Sequence, residues 1–272
     1  MKILSGAELV GYIKERQAKQ VRALRQADGV FPRLAIVQTI DSPVIDTYVR
    51  LKKVYGEDIL IDVVSHKVTE LDCVSTINQL NNDPSVHGII VQLPLSDPRK
   101  TDEIVNAVAR HKDVDGLADD SDFDAATALA INWLCAGYNI DLASQKILVV
   151  GQGRLVGAPL TKMWRASGYD VMTADIHTED LARLCQSASL IVSGTGVPGL
   201  IKTELIRPDT IVIDAGTASE GGKIVGDVAS EVYEREDISL TPRRGGVGPL
   251  TVAALFDNVL RAARTTVTKV SE

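Results

Sequence analysis

The feature that most constrains the fold of this chain is an alternation of short apolar stretches with stretches of helical pattern. The apolar stretches, which predict strands, are residues 33–39, 59–64, 87–93, 146–150, 169–174, 190–193 and 210–213. The helical patterns lie at residues 5–27, 44–55, 68–82, 125–136, 156–167, 179–186 and 250–263. Buried strands joined through helices predict parallel sheets with right-handed crossovers, so the expected fold class is α/β.

A loop-rich acidic segment divides this pattern into two α/β domains. Four aspartates fall within it, at positions 119, 120, 122 and 124. A chain of 272 residues is also long enough for two domains of ordinary size. We predict a first domain from residues 1–120 and 250–272, whose last helix packs back onto it. Residues 121–249 are predicted to form a second, Rossmann-like domain.

Composition excludes several classes of function. There are 29 basic and 36 acidic residues, a formal charge of −7, and aromatic residues make up 4% of the chain. Such a chain repels phosphate backbones and has few rings for base stacking, so nucleic acid is not an expected partner. The four histidines and three cysteines show no metal-ligand spacing, and we expect no metal. No leader peptide or membrane span is expected, so the predicted location is the cytoplasm.

A glycine-rich turn follows the predicted strand at 146–150. It reads Gly151-Gln152-Gly153-Arg154-Leu155-Val156-Gly157 and runs into a helical pattern. A strand, a glycine turn and a helix in this order form the site that holds a dinucleotide pyrophosphate on a helix N-terminus. The spacing is one residue longer than the usual fingerprint, and a tight turn without a ligand is the alternative. We interpret residues 151–154 as cofactor-binding, with NAD or NADP as the cofactor.

An acidic residue, Asp175, ends the next predicted strand, 24 residues after Gly151. A carboxylate at this place can accept hydrogen bonds from the ribose hydroxyls of NAD, and it would repel the additional phosphate of NADP. The sequence therefore favours NAD. A solvated aspartate at a strand end is the alternative, and Arg154 is the nearby cation that could soften the preference.

The first domain carries a second set of polar residues. Tyr48 and Lys52 are four residues apart on a predicted helix, so both lie on one face. A lysine desolvated in a cleft has a lowered pKa and can act as a base near neutral pH. Gln92 lies at the C-terminal end of its predicted strand, after His87–Val91, and open α/β sheets bind ligands at such ends. Asp115 precedes the domain boundary, and its carboxylate can anchor a ring edge through paired N–H donors.

Several motifs in a fixed order resemble the bifunctional methylenetetrahydrofolate dehydrogenase/cyclohydrolase family. The resemblance covers about residues 6–263. Its motifs are Tyr48-Val49-x-x-Lys52, Gly88-Ile89-Ile90-Val91-Gln92-Leu93-Pro94-Leu95, Lys112-Asp113-Val114-Asp115-Gly116, Val156-Gly157-x-Pro159, Val212-Ile213-Asp214-x-Gly216, Gly226-Asp227-Val228 and Thr241-Pro242-x-x-Gly245-Gly246-Val247-Gly248-Pro249-x-Thr251.

The resemblance implies oxidation of 5,10-methylenetetrahydrofolate by NAD(P) and hydrolysis of the methenyl product, in a homodimer formed through the nucleotide domain. It implies a folate cleft between the domains. Lys52 would be the catalytic lysine, Tyr48 would lie beside it, Gln92 would position it, and Asp115 would bind the pterin. Thr217 would lie near the nicotinamide. The folate site would also include Val91, Leu93 and the glycine-rich loop Gly245, Gly246, Val247, Gly248 and Pro249.

This chain departs from the family pattern at its cofactor turn. The family commonly has a serine-bearing Gly-Arg-Ser turn, where this chain has Gly151-Gln152-Gly153, and basic or hydroxyl residues where it has Asp175-Ile176. Both changes remove groups that would hold the phosphate of NADP. Two other readings stay open, a shikimate-type dehydrogenase of similar layout and a nicotinamide-sensing protein without turnover. A substrate screen distinguishes the first, and cofactor binding without folate conversion would indicate the second.

Overall fold

The computed structural model describes residues 2–220 and 223–268. Its strands are β1 (Lys2–Ile3), β2 (Arg33–Gln38), β3 (Asp62–Lys67), β4 (Gly88–Gln92), β5 (Ile147–Val150), β6 (Val171–Ala174), β7 (Leu190–Ser193), β8 (Ile211–Asp214), β9 (Ala218–Glu220), β10 (Lys223–Val225) and β11 (Ser239–Leu240). Its α-helices are α1 (Gly6–Ala27), α2 (Pro43–Asp58), α3 (Glu70–Asn82), α4 (Thr101–Asn106), α5 (Ala126–Gly137), α6 (Gly157–Ala166), α7 (Leu181–Ser187) and α8 (Val247–Thr268). Short 3-10 helices lie at Pro98–Lys100, Leu142–Ser144, Thr203–Leu205 and Ser230–Glu234.

The chain forms two compact units, and the predicted α/β class is confirmed. The three-stranded unit comprises Gly11–Ala126 and Val252–Glu272, and the six-stranded unit comprises Met1–Val10 and Thr127–Thr251. The structure differs from the predicted division for the first ten residues, because β1 pairs with β11 and so belongs to the six-stranded unit. Two-residue strands such as these carry no periodic pattern from which a sequence could predict them.

The three-stranded unit contains a parallel sheet in the order β3-β2-β4. The central strand β2 is buried from Leu34 to Gln38, as its continuous apolar run requires. The prediction of a strand at 59–64 was three residues too early. Helix α2 continues to Asp58, and the chain then turns at Leu60, whose φ is 67°, before β3 begins.

The six-stranded unit contains a parallel sheet in the order β1-β11-β8-β7-β5-β6. All four residues of β5 and of β7 are buried, because these strands lie inside the sheet. Strands β9 and β10 form a separate antiparallel pair. The three cysteines are free thiols buried in the two units, at positions 73, 135 and 185. No helix in the described part of the chain is long and apolar enough to span a membrane.

A buried polar contact joins three helices of the three-stranded unit. The Tyr55 hydroxyl of α2 donates to Gln17 Oε1 of α1 over 2.8 Å, and Gln17 Nε2 donates to the carbonyl oxygen of Ala253 in α8 over 2.8 Å. The Tyr55 ring stacks on Phe256 with 5.1 Å between centroids. Gln17 is fully buried, so each of these polar atoms depends on its protein partner.

Replacing Tyr55 by Phe should therefore destabilise the protein. The change keeps the ring stacking and leaves Gln17 Oε1 buried without a donor, at an expected cost of about 1–3 kcal/mol in the free energy of unfolding. Urea denaturation measures this difference. Tyr12→Phe is the matched control, since Tyr12 is 80% exposed and its substitution should change nothing. Equal stabilities of the two variants would contradict the assignment of this contact.

Candidate functional site

The polar residues of the three-stranded unit gather where its parallel strands end. Gln92 is the last residue of β4 and lies in register with Gln38, the last residue of β2. The neighbouring helix α2 carries Tyr48 and Lys52 one turn apart. Both side chains are half-buried. Because both residues belong to α2 and are four positions apart, they lie on one face of the helix, as predicted.

Lys52 and Gln92 form a direct hydrogen bond. Lys52 Nζ donates to Gln92 Oε1 over 2.7 Å, and Gln92 Nε2 donates to the carbonyl oxygen of Leu93 over 3.1 Å. The second bond orients the amide so that its oxygen faces the amine. Burial lowers the pKa of Lys52, and the negative charge of Asp115 opposes this shift. The amine therefore exists in its neutral form at lower pH than an exposed lysine does.

Asp115 completes this group of residues, because its carboxylate interacts electrostatically with Lys52. Burial raises the pKa of Asp115 to about 6, although the Lys52 charge lowers it. Its backbone is held in place: the carbonyl oxygen of Asp115 accepts the N–H of Ala126 over 3.2 Å. The neighbouring residues Lys112 and Asp113 are buried and bond to backbone groups, so their roles in the motif are structural.

A residue that the sequence analysis missed supports Asp115. Asn258 of α8 is fully buried, and its Nδ2 donates to the carbonyl oxygens of Val114 over 2.9 Å and of Asp124 over 3.0 Å. These two carbonyls bracket the segment that carries Asp115. In the sequence, Asn258 is visible only as an amide within a largely apolar helix, which by itself does not reveal its partners.

Val91 and Leu93, the two residues that flank Gln92, direct their side chains into the core of the three-stranded unit. Val91 is buried, since alternate residues of a strand face opposite sides, and its side chain packs in the core with Ile89. Leu93 packs against the same core. A ligand beside Gln92 would therefore meet these two residues through their backbone.

The glycine turn of the six-stranded unit has the shape that close backbone approach requires. Gly151 has a φ of 88°, a conformation that favours glycine. A Cβ at Gly157 would collide with the carbonyl oxygen of Gly151, so α6 can begin only with a glycine against this turn. No atom lies within 4 Å of the place of a Cβ at Gly153, which leaves open space over the turn. These features fit a dinucleotide whose phosphates lie on the N-terminus of α6.

Two further predicted cofactor residues follow strands of the same sheet. Asp175 directly follows β6, and Thr217 lies exposed after β8. Because parallel strands end at one edge, both lie at the edge that carries the glycine turn. Asp175 also organises its own turn, where its Oδ1 accepts the N–H of His177 over 2.9 Å. The carboxylate is exposed.

The glycine-rich segment 245–249 belongs to the six-stranded unit. Gly245 has a φ of 79°, and its carbonyl oxygen accepts the N–H of Ala7 over 2.9 Å. Helix α8 begins at Val247, three residues before its predicted start, so Val247, Gly248 and Pro249 form its first turn. Within the described residues, no group of three or more His, Cys, Asp or Glu side chains is placed to hold a metal ion.

Comparisons with known proteins agree for both units. Residues 4–115 match the model of the tetrahydrofolate dehydrogenase/cyclohydrolase catalytic domain, and residues 125–267 match that of the NAD(P)-binding domain. The bifunctional protein FolD of Nautilia profundicola is 35% identical over 97% of this chain and 98% of its own length.

Two solved structures are similar over nearly the whole chain. The bifunctional enzyme FolD of Campylobacter jejuni is 33% identical, with a TM-score of 0.91, over 98% of this chain and 99% of that one. The 5,10-methylenetetrahydrofolate dehydrogenase of the silkworm Bombyx mori is 30% identical, with a TM-score of 0.90, over the same shares.

The raised pKa of Asp115 predicts a gain of stability in Asp115→Asn. At pH 7 the native state holds an ionised carboxylate in a place that favours the neutral acid, so the variant should be more stable by about 1–3 kcal/mol. Protonation of Asp115 stabilises the folded state because the pKa of Asp115 is higher there, about 6, than in the unfolded chain, about 3.9. This stabilisation is complete below about pH 3.9 and is lost as the pH rises through about 6. The difference between variant and wild type should therefore shrink as the pH falls from 7 to 4.

Urea denaturation at several pH values measures this difference. Asp120→Asn, which neutralises an exposed carboxylate of the same segment, is the control and should behave like the wild type. A constant difference across this pH range would show that Asp115 has an ordinary pKa.

Proposed function

This chain belongs to the tetrahydrofolate dehydrogenase/cyclohydrolase family, and from that premise we propose how its own residues carry out the two reactions. It is an oxidoreductase and hydrolase that oxidises 5,10-methylenetetrahydrofolate to the methenyl form with a nicotinamide cofactor and hydrolyses the methenyl bridge to 10-formyltetrahydrofolate. The observation that carries the proposal is the hydrogen bond between Lys52 and Gln92, with Asp115 in electrostatic contact.

In the hydrolysis, Lys52 assists the attack of water on the methenyl carbon. Its lowered pKa makes the neutral amine available, and the lone pair on Nζ accepts a proton from the attacking water. Gln92 Oε1 holds one N–H of the amine, which directs the lone pair away from the amide. Tyr48, one helical turn before Lys52, orients the substrate with its hydroxyl.

Substrate binding rests on Asp115 and on backbone groups. The Asp115 carboxylate accepts paired N–H donors from the pterin ring, a geometry that a carboxylate matches well. Val91 and Leu93 contribute backbone groups beside Gln92. Residues 245–249 are proposed to line the folate site.

In the oxidation, the nicotinamide supplies the hydride acceptor, and the protein supplies binding and orientation. Gly151, Gln152, Gly153 and Arg154 would hold the dinucleotide phosphates, and Asp175 would hold the ribose. Thr217 would lie beside the nicotinamide. The support for this assignment is the open space over Gly153 and the exposed carboxylate at the end of β6.

NAD is the proposed cofactor in preference to NADP. The Asp175 carboxylate would face the additional phosphate of NADP, and like charges in contact cost several kcal/mol. A nicotinamide-sensing protein without turnover would have no use for the activated amine of Lys52. A shikimate-type enzyme is disfavoured because both units match the tetrahydrofolate dehydrogenase/cyclohydrolase family.

Lys52→Met should abolish hydrolysis of methenyltetrahydrofolate while the protein stays folded. Methionine keeps most of the length and volume of the lysine side chain but cannot accept a proton. A general base contributes about 10²–10⁴-fold to a rate. The loss of methenyl absorbance measures the rate, and circular dichroism measures folding. Lys53→Met is the control, since the amine of Lys53 forms no hydrogen bond to Gln92 or to any other side chain in the described part of the protein. Normal hydrolysis in Lys52→Met would overturn the assignment.

Asp175→Ser should shift the cofactor preference toward NADP. Removing the carboxylate removes the repulsion, and we expect the ratio of kcat/KM for NADP to that for NAD to rise about tenfold or more. Asp170→Ser, which neutralises an exposed carboxylate before the same strand, is the matched control. An unchanged ratio would show that Asp175 serves its own turn and does not select the cofactor.

The resemblance also supports a homodimer formed through the six-stranded unit, and we propose that assembly. Sedimentation equilibrium should give about twice the chain mass of 29.2 kDa. A monomer at micromolar concentration would contradict it. The cytoplasm is the proposed location, which fractionation of cells that express the protein would test.

A further inference from the structure

We propose that Asp227 is a positioning residue for the dinucleotide site. Its buried carboxylate holds the segment that follows β7, residues 194–197, against the glycine turn at Gly151. We call this segment the β7 loop. The inference rests on the proposed function, since it takes the glycine turn as the place where NAD or NADP binds.

The carboxylate clamps the chain at the point where it leaves β7. Asp227 is fully buried, and its Oδ2 accepts the Ser193 hydroxyl over 2.7 Å and the N–H of Thr195 over 2.6 Å. The two donors lie on either side of Gly194, so one oxygen sets the direction of the loop. Bonds to a charged acceptor are short and about twice as strong as neutral ones.

Asp227 is itself held by the neighbouring strand. Its N–H donates to Asp214 Oδ1 over 3.1 Å, and the next N–H, of Val228, donates to Asp214 Oδ2 over 3.0 Å. Asp214 ends β8 in register with Ser193. The carbonyl oxygen of Asp227 accepts the N–H of Ile201, beyond the loop, over 3.0 Å. The carboxylate thus has a fixed place between the ends of two adjacent strands.

The β7 loop packs directly on the glycine turn. A Cβ at Gly151 would lie 2.8 Å from the carbonyl oxygen of Gly194 and 2.9 Å from Thr195 Cγ2. A Cβ at Gly194 would lie 2.7 Å from Val156 Cγ1, near the other end of the turn. Because the two segments are in close contact, a displacement of Thr195 must also displace the glycine turn, on which the dinucleotide is proposed to lie.

Burying the Asp227 carboxylate costs stability, and the need to fill this volume does not explain why the residue is charged rather than apolar. The second oxygen, Oδ1, is buried without a hydrogen-bond partner among the described residues. A side chain at Gly216 would collide with that oxygen, so the chain there is also closely fitted to it. An apolar residue would fill the same volume without leaving a buried polar atom unpaired. What the carboxylate adds is the orientation of the β7 loop.

The test measures dinucleotide affinity and hydrolysis separately. We expect Asp227→Ala to raise the dissociation constants of NAD and NADP, measured by calorimetry, about tenfold or more. Hydrolysis of methenyltetrahydrofolate should stay within about twofold of wild type, because Lys52, Gln92 and Asp115 lie in the other unit. Asp227→Asn keeps an acceptor oxygen and should bind NAD more tightly than Asp227→Ala. Ser193→Ala removes one donor only, and should weaken binding less than Asp227→Ala does.

These measurements distinguish a failure of the proposed role of Asp227 from a failure of the proposed function. Wild-type affinity in all three variants would overturn the positioning role while leaving the proposed function in place. A parallel loss of hydrolysis and affinity would show a general structural role and would also overturn it. A wild-type protein that binds neither NAD nor NADP would overturn the proposed function. If Asp227→Ala does not fold, Asp227→Asn and Ser193→Ala decide by the same comparison with wild type.

Discussion

The arrangement of this protein depends on one geometric constraint: parallel strands in a sheet all end at the same edge. In the three-stranded unit that edge brings Gln92 next to the helix that carries Lys52. In the six-stranded unit it brings the glycine turn after β5 to the same side as Asp175 after β6 and Thr217 after β8. Residues distant in sequence thus reach one place without any special loop, because the hydrogen-bonded sheet aligns them.

Both sites hold ionisable groups in places that do not favour their charged forms. Burial lowers the pKa of Lys52 and raises the pKa of Asp115, so the charged form of each group costs the folded protein stability. Burial likewise raises the pKa of Asp214, which accepts backbone N–H groups at the end of β8. Hydrogen bonds reduce the cost of burying these groups. Gln92 bonds Lys52, and backbone N–H groups bond Asp214.

The two units differ in how their polar groups are fixed. In the three-stranded unit a side-chain amide in α8, Asn258, holds the backbone that carries Asp115. In the six-stranded unit a buried carboxylate, Asp227, holds the backbone that leaves β7. In both cases a backbone segment takes its position from a buried polar side chain that belongs to another part of the chain.

The sequence by itself determined the α/β class and most of the strands, because these depend on local hydrophobic pattern. Its motifs also singled out Lys52, Gln92, Asp115 and Gly151 as candidate site residues. It did not reveal β1 and β11, which are too short to show a period, or that α8 begins at Val247. The resemblance had already implied that Gln92 positions Lys52, and the structure shows the hydrogen bond between them. Only the tertiary structure decided that Asn258 and Asp227 orient backbone segments. Such contacts join residues far apart along the chain, and nothing in the spacing of either residue specifies its partner.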